Sequence, residues 1–257
     1  GVSSGSGIQG LRPSSNLKSG TPKWSAQTCC ALLNGYLFRS MIRSAMSRSR
    51  FRAALIGCGV TTGVGSVIHT ANVEPGATVA VIGCGGIGLS CINGAYIAGA
   101  SRVIAVDMVP SKLELARKFG ATDVVNAGDG DPVEQVKELT GGGVHYSFEA
   151  IGLKITAEQA FGMLRTGGTA TIIGMIPPGD MVSIHGPELL SEKKLQGSFT
   201  GSNRFRVDMP RYVDLYLQGR LHLDDLVSSR IKLSDVNEAM AALETGEVAR
   251  SVIMFDE

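Results

Sequence analysis

The run Thr78-Val79-Ala80-Val81-Ile82 breaks into Gly83-Cys84-Gly85-Gly86-Ile87-Gly88-Leu89-Ser90, and this junction limits the fold more than any other part of the 257 residues. A short apolar, β-branched run bounded by glycines suits a buried strand. The spacing Gly-x-Gly-x-x-Gly then sets three demands. The first glycine permits a tight strand-to-helix turn, the second lets backbone approach a ligand, and the third lets the helix pack closely on the strand. The same alternation continues downstream. Arg102 to Val106, Asp123 to Asn126, Val144 to Glu149 and Thr169 to Gly174 read as strands, with helices near 87–98, 111–119, 132–140 and 154–165. Pro110 and Ser111 open one helix, Leu113, Leu115, Ala116 and Phe119 give it an apolar face, and Gly120 closes it. Strands separated by helices must run parallel, so the expected class is α/β, a doubly wound parallel sheet of the Rossmann type. Beyond Pro187 the rhythm changes: a strand near Leu195 to Phe199, helices near 208–218 and 234–244, and a last strand from Ser251 to Phe255.

A helix starting just after Gly85 points unpaired N–H groups and its positive dipole end at the turn, which suits a phosphate. Asp107 ends the second strand nineteen residues after Gly88, where a carboxylate can accept hydrogen bonds from both hydroxyls of an adenosine ribose. A carboxylate there repels a 2′-phosphate, and Met108 rather than arginine follows it, so the pair favours NAD over NADP. The same turn and acid also suit S-adenosylmethionine in a methyltransferase, and a solvated strand-end acid is the bland alternative for Asp107.

Charge divides the chain. The net value is +1, yet residues 1–73 hold no Asp or Glu, so 74–257 carry all 23 acids beside 16 basic residues, a balance of −7. The other eight basic residues fall within 1–56, together with eleven serines. Five cysteines, odd in number and without a CxxC pair, argue against a disulfide framework and for a reducing, cytoplasmic setting. The uncharged stretches 53–73 and 75–101 are each long enough to cross a bilayer. The second contains seven glycines and a strand-like front half, so no membrane span is expected.

Three segments in order and spacing carry a resemblance. They are Ala54-Leu55-Ile56-Gly57-Cys58-Gly59-Val60-Thr61-Thr62-Gly63-Val64-Gly65, the turn from Gly83 to Ser90, and Phe148-Glu149-Ala150-Ile151-Gly152. From about Ala53 to Glu257 the chain resembles the zinc-dependent alcohol dehydrogenases of the medium-chain dehydrogenase family. The resemblance implies Cys58 as one of three protein ligands to a catalytic zinc and Thr62 as the catalytic-side residue beside the nicotinamide. It also implies cofactor contacts from Gly83, Gly85, Gly86, Ile87 and Gly88, and from Asp107 and Lys112 around the ribose. Ile151, Ile173 and Met175 would line the nicotinamide end, and Arg250 would reach the pyrophosphate. Read from the residues alone, Cys58 is equally a buried cysteine packed as a small hydrophobe.

The family's second ligand cysteine, its ligand histidine and its proton relay come from an N-terminal domain without counterpart in this sequence. His69, His145, His185 and His222 stand in no zinc-binding pattern, and His145 reads as a surface or satisfied histidine. Residues 1–52 fit three readings: a transit peptide, a basic tail, or an out-of-frame stretch. We expect an atypical, disordered or misread segment over 1–52, a nucleotide-binding domain over 53–200 and a remnant of a truncated catalytic domain over 201–257. The implied activity is NAD-dependent, zinc-assisted exchange of hydride between an alcohol and an aldehyde or ketone. A thiol-linked formaldehyde dehydrogenase and a non-catalytic NAD-binding fragment are the alternatives. The expected partners are a small-molecule alcohol or aldehyde and a second copy of the chain in a homodimer or homotetramer, with no nucleic acid.

Overall fold

The computed structural model describes residues 50–244 and 250–255. The expectation for 1–52 therefore falls almost wholly outside the described residues. A helical rod opens the described chain: α1 (Arg50–Leu55), a π-helical stretch (Ile56–Val60), α2 (Thr61–Gly65) and a second π-helical stretch (Ser66–Thr70). Next come β1 (Thr78–Ile82), α3 (Gly86–Ile97), β2 (Arg102–Asp107), α4 (Pro110–Lys118), β3 (Asp123–Asn126), α5 (Pro132–Thr140), β4 (Val144–Glu149), α6 (Lys154–Gly162), β5 (Leu164–Ile172) and β6 (Lys194–Gly197). After these follow α7 (Phe205–Leu217), β7 (Ser229–Ile231), α8 (Val236–Glu244) and β8 (Ser251–Ile253).

The first six strands form one sheet in the order β3-β2-β1-β4-β5-β6, and every neighbouring pair is parallel. β1 is central, pairing Val79 with Val103 on one side and with Tyr146 on the other. Its side chains alternate between two cores. Val79 and Val81 join Leu89, Ile92, Leu113 and Phe119 on one face, while Ala80 and Ile82 join Val136, Ala160 and Phe161 on the other. α3 and α4 thus cover one face and α5 and α6 the opposite one, the doubly wound arrangement expected from the alternation. β7 and β8 pair only with each other, in parallel.

Residues 53–73 have a different explanation from their lack of charge. Ile56, Val60, Val64 and Val67 are fully or almost fully buried in the first core, beside Tyr212, Val213, Leu221 and Leu223 from α7 and the segment after it. A rod covered on several sides needs no polar face, which is why it carries no charge. Close approach is possible because Gly63 faces α3: a Cβ there would lie 2.4 Å from the Ser90 Cβ. Among the described residues, no helix is long and apolar enough to cross a membrane.

Candidate functional site

All six parallel strands end on the same side, and the candidate site is assembled from the loops at those ends. Gly83 adopts φ +94°, a conformation that strains any residue with a Cβ, and donates its N–H to the Val106 carbonyl at 2.8 Å. Gly85 caps α3 in an extended conformation, with open space where a side chain would sit. A Cβ on Gly88 would lie 1.7 Å from the Gly83 carbonyl oxygen, so the helix can seat against the turn only with glycine there. Ile87, between Gly86 and Gly88, packs partly buried against the first core. Gly83 and Gly88 therefore meet the turn and packing demands that the spacing implied, and Gly85 leaves open space beside the helix start.

Asp107 stands at the end of β2 and already holds the turn. Its Oδ2 accepts from the Cys84 N–H at 2.8 Å and its Oδ1 from the Val109 N–H at 2.9 Å. Each carboxylate oxygen retains a further lone pair for a ligand hydroxyl. Beside it lies a groove of about 420 Å³ whose lining includes Cys84, Ser111, Lys112 and Ser228. Burial, and secondarily the Asp107 charge, pushes the Cys84 thiol far above its usual range. Cys84 is thus a neutral spacer in the turn, not a nucleophile.

Arg250 approaches the same turn from the far end of the chain. A Cβ on Gly59 would lie 2.7 Å from one of its terminal nitrogens, and a Cβ on Gly86 2.6 Å from its Nε. The guanidinium therefore fills the gap between the helical rod and the start of α3. Burial lowers its pKa, and the neighbouring Cys58 opposes that shift. No carboxylate pairs with Arg250 among the described residues. The guanidinium thus stands beside the N-terminus of α3, where the helix dipole favours negative charge.

Further along the strand ends, Ile151 lies over Gly83, where an added Cβ would meet its Cγ1 at 2.5 Å. Ile173 and Met175 follow β5, and Met175 is 69% exposed. Thr62 is buried in α2, and its carbonyl accepts from the Ser66 hydroxyl at 2.6 Å. Since that spends the single Ser66 proton, Ser66 must accept from Ser198 (2.8 Å). By the same count Ser198 accepts from Thr70, and Thr70 from Ser202, each at 2.8 Å. This one-way chain of hydroxyls ties the segment after β6 to the rod. The sequence reading missed it because isolated serines and threonines carry no spacing signal. It also missed Glu149, whose signal was an acid inside a buried strand.

The family match covers part of this machinery, from the start of α3 through Glu149 to α7. Residues 86–218, just over half the chain, match the family described as zinc-binding dehydrogenase. The chain belongs to that family. Among curated relatives, this zinc-binding dehydrogenase is 40% identical to alcohol dehydrogenase-like 5 of Arabidopsis thaliana over 210 residues, 80% of this chain and 54% of that protein. It is 41% identical to S-(hydroxymethyl)glutathione dehydrogenase of Synechocystis over 204 residues, 78% of this chain and 55% of that one. A solved structure from Sinorhizobium meliloti 1021, assigned to the zinc-binding dehydrogenases and bound to NADP, superposes with a TM-score of 0.73 at 28% identity. That match covers 79% of this chain and 59% of the other. The chain spans about half the length of the curated relatives it matches.

A catalytic zinc needs three protein donors and one open position. Cys58 of this zinc-binding dehydrogenase is half-buried and has a free thiol. No three His, Cys, Asp or Glu side chains gather into a metal site among the described residues. All four histidines of the chain are described, and each is engaged elsewhere. His69 is eleven residues farther along the rod, about 16 Å at ~1.5 Å per residue, and faces Asp208 at 3.5 Å. His145 sits at the opposite end of the sheet, bonded to Thr78 (2.7 Å) and Arg165 (2.9 Å), and burial followed by the Arg165 charge lowers its pKa. His185 lies 4.0 Å from Glu188, and His222 lies 3.7 Å from Asp225 and edge-on to Phe119. The described donor set does not fit a catalytic zinc, and no step through the metal is assigned to it.

Proposed function

We propose that the chain is the nucleotide-binding part of an NAD-dependent, zinc-type alcohol dehydrogenase. The Arg250 guanidinium, wedged between Gly59 and the α3 start at Gly86, carries this reading. The dinucleotide's pyrophosphate would lie across the α3 N-terminus against Arg250, its adenosine ribose on Asp107 and Lys112, and its nicotinamide between Thr62, Ile151, Ile173 and Met175. Hydride would then pass between an alcohol carbon and nicotinamide C4. A thiol-adduct substrate of the S-(hydroxymethyl)glutathione type is the near alternative within this chemistry. We place the glycine turn and the ribose contacts in a nucleotide domain over 53–200 and assign 201–257, which adds Arg250 to the pyrophosphate site, to the remnant of the catalytic domain. The setting is cytoplasmic and the assembly a homodimer or homotetramer.

A second reading has its own support. Cys58 without a histidine favours a chain that binds NAD and does not turn over alcohol. Calorimetric titration with NADH, an ethanol-dependent NADH absorbance assay and zinc content by atomic absorption separate the two. We expect NADH binding, less than one zinc per chain and no ethanol turnover by the chain's own residues. Stoichiometric zinc with turnover overturns the second reading, and absence of NADH binding sinks both. Asp107→Asn tests the ribose role: NAD affinity should fall about ten-fold while NADP affinity holds or rises. An unchanged preference removes that role.

A further inference from the structure

Glu149 is fully buried at the last position of β4, inside a strand whose other residues at this end are apolar or small. Burying a carboxyl group is costly unless its oxygens find donors, so its presence calls for an explanation. Its hydrogen bonds supply one. Oε1 accepts from the Ile151 N–H at 2.9 Å and the Gly152 N–H at 2.7 Å, and shares the one proton of the Thr156 hydroxyl (2.8 Å) with the Leu153 carbonyl (2.9 Å). The main-chain carbonyl of the same residue accepts from the Ile173 N–H at 2.9 Å and the Gly174 N–H at 3.1 Å. The side chain thus holds the loop after β4, and the backbone holds the loop after β5. These two loops carry Ile151, Ile173 and Met175.

The loops also interlock above the carboxyl group. A Cβ on Gly152 would lie 2.7 Å from the Met175 carbonyl oxygen, and one on Gly174 would lie 2.1 Å from the Gly152 nitrogen and 2.5 Å from Glu149 Oε2. That second oxygen is buried and has no hydrogen-bond partner among the described residues. Three donors on Oε1 and none on Oε2 mean that the group is oriented toward the loops and not toward overall satisfaction.

We propose that Glu149 is a positioning residue for the nicotinamide half of the cofactor, fixing the two loops against each other without touching the ligand. This rests on the proposed reading of the site as a nicotinamide-dinucleotide cleft. It predicts a split between two probes. ADP-ribose engages the glycine turn, Asp107 and Arg250, which Glu149 does not touch; NADH engages those and the loops as well.

The test titrates the whole chain, wild type and variants, with NADH by fluorescence and with ADP-ribose by calorimetry, and checks folding by thermal melting. Glu149→Ala should weaken NADH about ten-fold or more while ADP-ribose stays within about two-fold. Glu149→Gln keeps an acceptor oxygen for the three donors and should restore NADH to within about three-fold of wild type. Equal weakening of both probes by Glu149→Ala, or an unchanged NADH affinity, overturns the proposal. Should Glu149→Ala fail to fold, Thr156→Val carries the test: it removes one donor, and NADH should weaken about three-fold with ADP-ribose unchanged. No change in Thr156→Val then overturns it. If wild type binds neither probe, the cleft reading itself fails, an outcome distinct from wild-type binding that Glu149 variants leave untouched.

Discussion

The turn at Gly83–Gly88 and the surroundings of Cys58 lie at the same end of the sheet, bridged by Arg250, yet they differ in how complete they are. The turn draws its parts from backbone geometry and from Asp107, all on the contiguous chain from Gly83 to Asp107. Cys58 offers one thiol and no companion donor among the described residues. Phosphate binding by backbone N–H groups is local and travels with a short segment, whereas a metal centre needs side chains converging from distant parts of a sequence. A single chain can therefore hold every part proposed for the first and only a fraction of those a metal centre needs.

Three experiments press on that contrast. Gly88→Ala should have the largest effect. Its Cβ would lie 1.7 Å from the Gly83 carbonyl oxygen, so NADH affinity should fall more than about 100-fold or the fold should be lost, read by fluorescence titration and circular dichroism. Near-normal binding would show that the turn does not set the site. Next, Arg250→Ala should weaken NADH by about 10- to 100-fold, the range expected for charge-assisted hydrogen bonds to phosphate. Cys58→Ala in parallel should change NADH affinity by less than about three-fold. Equal losses in the two variants would erase the distinction between a complete nucleotide site and an isolated thiol.

The smallest effect lies away from the site and serves as its control. Arg102 pairs with Asp123 through two hydrogen bonds of 2.7 and 2.8 Å between β2 and β3, and this, with the Thr122 hydroxyl, lowers the Asp123 pKa to about 2. Because the folded value lies below the unfolded one of about 3.9, the stabilisation is complete above about pH 4 and is lost as pH falls toward about 2. Partial exposure of both groups limits it to about 1–2 kcal/mol. Asp123→Asn should lower the melting temperature at pH 7 by a few degrees and flatten the acid limb of stability, with NADH affinity unchanged.

Much of the sheet was legible because β1 to β4 are short runs closed by glycine, proline or acid, with side chains alternating between two cores. The rod at 50–70 was not, since the burial of nearly all of 56–67 removes the polar stripe that marks a helix, and glycines at 57, 59, 63 and 65 lower helix propensity further. β5 begins at Leu164, earlier than its apolar stretch, because the exposed Arg165 to Gly167 belong to the strand. β7 spans only Ser229–Ile231 and gains its form by pairing with β8. Within the site, the glycines and Asp107 could be read from spacing alone. Arg250 came only through resemblance, and Glu149 stood in plain view inside a quoted motif without an assigned part. Arg250 meets Gly59 and Gly86 only through the fold, whereas Glu149 Oε1 is held by its own next loop, Ile151 to Thr156, and only its main-chain carbonyl reaches the distant Ile173 and Gly174.

The central position of β1 has a consequence for how the chain is made. One edge of β1 pairs Val79 with Val103, which follows soon after it, whereas the other edge pairs Val79 with Tyr146, reached only after β2, β3 and their helices. At a synthesis rate of roughly 5–20 residues per second, that second edge stays uncovered for about 3–13 s after β1 emerges. Through this interval the most apolar strand of the sheet presents an unpaired rim of amides and carbonyls. The growing polypeptide is most open to mispairing, and to holding by a chaperone, before β4 leaves the ribosome.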